Sequence, residues 1–128
     1  MKSYTDLKQS KVLVKILPIE SADMRYGYIA PYEYSDRMYD GGFDEIPYPK
    51  DFLIKNPNFS ANEYDAELPC WSLAALLGVL PNGIVMNKDC ENGKYHFSSA
   101  HIGTYIKADN PIDACYEMIL TLHKLNLL

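Results

Sequence analysis

Leu68-Pro69-Cys70-Trp71-Ser72-Leu73-Ala74-Ala75-Leu76-Leu77-Gly78-Val79-Leu80 is the stretch that decides how this chain of 128 residues is read. Proline suits the first turn of a helix, where its missing N–H is no loss. The spacing predicts a helix over 69–80, opened by Leu68-Pro69-Cys70 and stopped by Pro81-Asn82-Gly83. Trp71, Leu73, Leu76, Leu77 and Leu80 fall around most of its circumference, as in a helix buried on most sides. The same apolar run, 71–80, has half of the roughly 20 residues that a membrane span needs.

Downstream the pattern changes period. Ile84-Val85-Met86 is a short β-type run, and Asp89-Cys90-Glu91-Asn92-Gly93 supplies a turn whose Asn-Gly pair is a strong hairpin signal. Lys94-Tyr95-His96-Phe97-Ser98 alternates as the returning strand, and Thr104-Tyr105-Ile106 reads as a third. The expectation is an antiparallel meander built on the hairpin 84–98 with a strand near 104–107. Asn110 then caps a helix over 111–125, with Pro111 at its first position and Asp113 in its first turn. Ile112, Cys115, Met118, Ile119, Leu122 and Leu125 recur on one face.

Upstream, Ser3 is the expected cap of a helix over 4–16 that Pro18 ends, with Lys8, Lys11 and Lys15 opposite Leu7, Val14 and Leu17. Residues 19–24 suit one more short turn. The stretch 18–67 is different in kind. It holds eleven acidic and four basic residues, a net of −7, so the rest of the chain carries +2 of the overall −5. Tyrosines stand at 26, 28, 32, 34, 39, 48 and 64, and Gly41-Gly42, Pro47, Pro49 and Pro57 punctuate the run. Loops with short strands at 25–29 and 51–54 are expected there.

The fold class that follows is α+β: a single domain, 1–128, with about three helices on a small, mainly antiparallel sheet. Trp71, Leu73, Leu76, Leu77, Met118, Ile119 and Leu122 are the expected core. Full burial of each large side chain contributes roughly 1.5–3 kcal/mol, enough for a fold without a ligand.

The acidic balance, pI near 5.1, argues against nucleic acid and anionic membrane as partners. A net −5 over 128 residues is weak for a DNA mimic. Three cysteines, Cys70, Cys90 and Cys115, cannot all pair within one chain, and no CxxC occurs; a reducing compartment is the simpler setting. Met1-Lys2-Ser3-Tyr4-Thr5-Asp6 has no apolar h-region, so a cytoplasmic protein without a signal peptide is expected.

Three constellations bear on chemistry. Cys70, set at the start of the expected helix, would have its thiol pKa lowered by helix N-terminal amides, and His96 or His101 could serve as its base. No nucleophile motif surrounds it, and the blander reading is a small buried hydrophobe beside Trp71. His96, His101, Cys90 and Cys70 lack the tight paired spacing of zinc ligands, so no metal is expected. Tyr26, Tyr28, Tyr32, Tyr34 and Tyr39, interleaved with carboxylates, compose a recognition surface for a protein partner, or else cover a small core. Leu125-Asn126-Leu127-Leu128 offers an apolar end for homo-oligomerisation. GxGxxG, GxxxxGK[ST], GxSxG and HExxH are absent, and no cofactor is expected.

Three segments together carry a resemblance. They are Gln9-Ser10-Lys11 through Leu17-Pro18 to Glu20-Ser21-Ala22-Asp23-Met24, then Leu68 through Leu77 with Leu80-Pro81, and Asn110 through Met118. The combination resembles a group of small proteins of unknown function from gut anaerobes and their phages and mobile elements. The resemblance implies a cytoplasmic accessory protein of a mobile element and supplies no catalytic residue. The leading expectation is a non-enzymatic binding protein that meets its partner through the acidic Tyr-rich stretch; the alternative is a small cysteine-dependent enzyme using Cys70.

Overall fold

Asp6, not Ser3, starts the first helix. Its carboxylate accepts the Gln9 N–H at 2.8 Å while the Gln9 side-chain oxygen accepts the Asp6 N–H at 3.1 Å, a reciprocal capping box. Residues 2–5 are used elsewhere, so helix α1 spans Leu7–Leu13 rather than 4–16. The computed structural model describes residues 2–29, 42–43, 47–49, 64–99, 102–103 and 105–128. Their contacts divide into two compact units, one of residues 6–70 and one of residues 1–5 with 71–128. The α+β class holds, with the strands in two antiparallel sheets instead of one.

In the unit 6–70, α1 tightens at its end through Lys15 N–H to Val12 O and Ile16 N–H to Leu13 O, and a 3-10 turn follows at Ile19–Ser21. Strand β1, Met24–Ile29, is central. Along one edge it pairs with β2, Gly42–Phe43, and with β3, Tyr48–Pro49. Along the other it pairs with β4, Tyr64–Cys70, with Met24 opposite Cys70 and Arg25 opposite Pro69. The expected strand at 51–54 lies outside the described residues.

β4 overturns the reading of the deciding stretch. Leu68-Pro69-Cys70 does not open a helix; it finishes a strand. A strand admits proline where no ladder bond is asked of its missing N–H, and β1 is the one strand partner of β4 among the described residues. Ser10, Leu13, Leu17, Ala22, Tyr26, Leu68 and Cys70 are buried in this unit.

In the other unit, helix α2 covers only Leu73–Val79, and Ser72 is its N-cap, accepting the Ala75 N–H at 3.3 Å. Trp71 is buried ahead of it rather than within it. Its backbone N–H donates to Thr5 Oγ1 at 3.1 Å, and its carbonyl accepts the Thr5 N–H at 2.9 Å. An isolated bridge pairs Tyr4 with Ser72. Within α2 only Leu76 is buried; Leu77, an expected core residue, is 40% exposed, and Leu73 is half-buried.

The meander forms as expected. Strands β5 (Ile84–Lys88), β6 (Tyr95–Ser99) and β7 (Tyr105–Ala108) pair antiparallel in that order. The β5–β6 turn is longer than a two-residue one. The Asp89 N–H donates to Lys94 O at 2.7 Å, and Gly93, at φ 71°, takes the left-handed conformation that a side chain disfavours.

Helix α3, Pro111–Lys124, keeps its expected start, with the Asn110 side chain accepting the Asp113 N–H at 2.9 Å. Leu125, expected on the buried face, is the C-cap and is exposed. Beyond it Asn126 turns left-handed at φ 56°, with Leu127 N–H to Leu122 O and Asn126 N–H to His123 O, the Schellman arrangement. Ile112, Cys115, Met118, Ile119 and Leu122 of α3 are fully buried, as is Phe97 of β6. No helix among the described residues is long and apolar enough to cross a membrane.

Burial separates two adjacent leucines. Leu76→Ala is expected to cost about 2–5 kcal/mol by cavity formation, and Leu77→Ala less than about 1 kcal/mol, in urea unfolding of the two variants. Equal losses would show that α2 is buried on both faces.

Candidate functional site

The structure does not place Cys70 at a helix N-terminus. It is the last residue of β4, fully buried, with Ser72 intervening as the cap of α2. The argument for a thiol activated by helix amides therefore has no footing at Cys70. Its proposed base His96 belongs to the other unit, on β6, and His101 lies outside the described residues. All three cysteines are free: Cys70 and Cys115 are buried and Cys90 is exposed. Burial on α3 pushes the Cys115 thiol up to about 12, which keeps it protonated at neutral pH. Among the described residues no group of three or more His, Cys, Asp or Glu side chains is arranged to hold a metal ion.

Of the tyrosines expected to compose a contact surface, Tyr26 is 1% exposed on β1. Its ring therefore belongs to the core of the unit 6–70 and not to a contact surface. Tyr28 is seen only as backbone, opposite Phe43, and Tyr32, Tyr34 and Tyr39 lie outside the described residues.

The polar cluster with the most developed geometry is one the sequence reading missed. It sits on the outward face of the meander. The β5–β6 and β6–β7 registers place Asn87 opposite His96 and His96 opposite Lys107, with Val85, Ser98 and Tyr105 in the next row. The His96 imidazole stacks on the Tyr105 ring, with centroids 5.3 Å apart and planes within 4° of parallel. Its Nε2 is sealed from solvent, makes no hydrogen bond, and stands 3.5 Å from Asp89 Oδ2.

Asp89 is the fixed member of the pair. Its Oδ1 accepts the Glu91 N–H at 2.8 Å. That bond, reinforced by the Asn92 N–H and by the charges of His96 and Lys107, holds the carboxyl below its ordinary value of 3.8 against a smaller opposing effect of burial. Tyr105 is 60% exposed and Val85 52%, so the face is open beside this pair. An imidazole and a carboxylate on a stacked aromatic can bind a polar group or relay a proton. Cys90, next in sequence to Asp89, supplies an exposed thiol.

A cleft of about 270 Å³ lies on the opposite face, bordered by Leu77, Leu80, Pro81, Ile84, Met86 and Phe97. Leu125, Leu127 and Leu128 are exposed at the end of α3. No family model, no curated protein and no solved structure matches the chain.

Two outcomes follow from this chemistry. With a thiol reagent at mildly alkaline pH, Cys90 is expected to react fast and Cys70 and Cys115 only on unfolding, so Cys90→Ser removes the fast phase; a fast phase left in that variant would place a second thiol at the surface. Asp89 stabilises the fold above its unfolded value of 3.8, and that contribution is lost as pH falls through its lowered folded value. The thermal midpoint of Asp89→Asn is thus expected below wild type at neutral pH, with the gap closing in acid; a gap independent of pH would remove the charge from the explanation.

Proposed function

We propose that this chain is a non-enzymatic binding protein whose acidic half takes up a basic protein partner. The observation that carries the reading is how charge divides between the units. Residues 6–70 hold seven basic and twelve acidic residues, a net of −5, while residues 1–5 and 71–128 hold five of each. The entire net charge of the chain therefore belongs to one unit. A field of one sign attracts a basic partner and speeds its encounter.

The composition of residues 30–41 adds support. That segment carries Tyr32, Tyr34 and Tyr39 together with Glu33, Asp36 and Asp40. Tyrosines among carboxylates combine apolar area with polar tips, the composition that protein interfaces favour. With Tyr26 in the core, the contact surface proposed is the remainder: Tyr28, Tyr32, Tyr34 and Tyr39. A cytoplasmic setting, favoured by the odd cysteine count and the N-terminal composition, and a role accessory to a phage or mobile element, which rests on the sequence resemblance, complete the proposal.

The test immobilises the full chain in lysate of its source cell and identifies what salt elutes. The expected result is a basic protein, released as ionic strength rises, and lost from Tyr32→Ser/Tyr34→Ser/Tyr39→Ser while the thermal midpoint is unchanged. Retention of the same protein by the triple variant, or capture of acidic proteins only, would refute the reading.

A further inference from the structure

We infer that two copies of this chain associate edge to edge through strand β5, joining their meanders into one six-stranded antiparallel sheet about a two-fold axis at Met86. β5 ends the strand order β5-β6-β7, and β6 is its only partner among the described residues. The Asp89 N–H bond to Lys94 O continues the β5–β6 ladder and sets its phase. Hydrogen-bonded pairs alternate with non-bonded ones in an antiparallel ladder, so Val85 and Asn87 bond inward to β6. Ile84, Met86 and Lys88 then present their backbone N–H and C=O groups outward.

Such a row is a template for another strand unless something blunts it. β5 carries no proline and no bulge, and the residues from Val85 to Lys88 are all exposed. Its one charge, Lys88, lies at the end of the strand.

The strand is complementary to itself. An antiparallel copy centred on Met86 sets Met86 against its counterpart and Ile84 against Lys88, so no like charges face each other across the axis. The outward-pointing backbone groups are those of Met86, Ile84 and Lys88, and this register makes every one of them a bonded position. Met86, 44% exposed, and Leu77, 40% exposed, are apolar side chains that border the cleft on the Phe97 face. The two-fold brings the clefts of both copies to one seam and covers these side chains. The unit that contains β5 has as many acidic as basic residues, so the net charge of −5 is not carried by the unit that docks. An isologous contact of this kind closes after two subunits and leaves no edge at the seam for further growth.

The test is molar mass by light scattering over a concentration series, on wild type and Met86→Lys. The expected result is twice the chain mass of 14.6 kDa for wild type and the chain mass alone for Met86→Lys, with the far-ultraviolet spectrum of the variant unchanged. A wild type that stays at the chain mass overturns the proposal, including the case where its edge accepts a foreign strand instead. A folded Met86→Lys that keeps the doubled mass overturns it too. If Met86→Lys fails to fold, Val85→Cys/Asn87→Cys in a Cys90→Ser background decides: position 85 of one copy faces position 87 of the other at a non-hydrogen-bonded pair, where side chains stand closest, so a disulfide-linked dimer is expected on oxidation, and a chain that stays uncrosslinked sinks the β5 contact.

Discussion

Two hydrogen bonds between Thr5 and Trp71 organise the unit of residues 1–5 and 71–128. Thr5 is fully buried, and its hydroxyl and N–H both engage the backbone of Trp71, whose indole is fully buried as well. Satisfying both backbone groups of Trp71 from one residue lets the largest side chain of the protein be buried with no orphaned amide beneath it. The bridge from Tyr4 to Ser72 extends the same contact, and Ser72 then caps α2. A further tie is Lys2 to Asp113 at 2.8 Å, which fastens residues 2–5 to the first turn of α3.

What could be read from the sequence was what local chemistry dictates. The cap at Asn110, Pro111 behind it and the periodic apolar face of α3 all act within a few residues of one another. The meander was legible for the same reason, since Gly93 and the flanking alternation fix the hairpin locally. The deciding stretch was misread because Pro69 suits a helix start and a flanking strand equally well. The choice between them belongs to β1, more than forty positions away in the chain. Ser72 was the available signal: a hydroxyl three residues ahead of Ala75 competes with Pro69 as the helix start, and its capping bond prevails.

The candidate site shows the same division. The hairpin expected over 84–98 already put Asp89 and His96 on one face, since the side chains of a strand alternate. Tyr105 could be added only by knowing that β7 follows β6 in register. Tyr26 went the other way. As one of several tyrosines among acids it suits a surface or a core equally, and only the folded unit shows its ring buried. Composition describes what a segment contains; which side of a strand faces the core is settled by neighbours far off in sequence.

The unit that holds Trp71 is assembled from two pieces of chain, residues 1–5 and 71–128, separated by residues 6–70. A ribosome therefore releases residues 1–5 long before the tryptophan that holds them exists, and this unit cannot finish folding until its carboxyl-terminal half has emerged. Thr5 and Trp71 are 66 positions apart, so their union closes a long loop, though each doubling of such a loop adds only about 0.6 kcal/mol. Nesting of this kind puts the whole of residues 6–70 inside one loop of the other unit's chain, so the order of synthesis and the order of assembly differ.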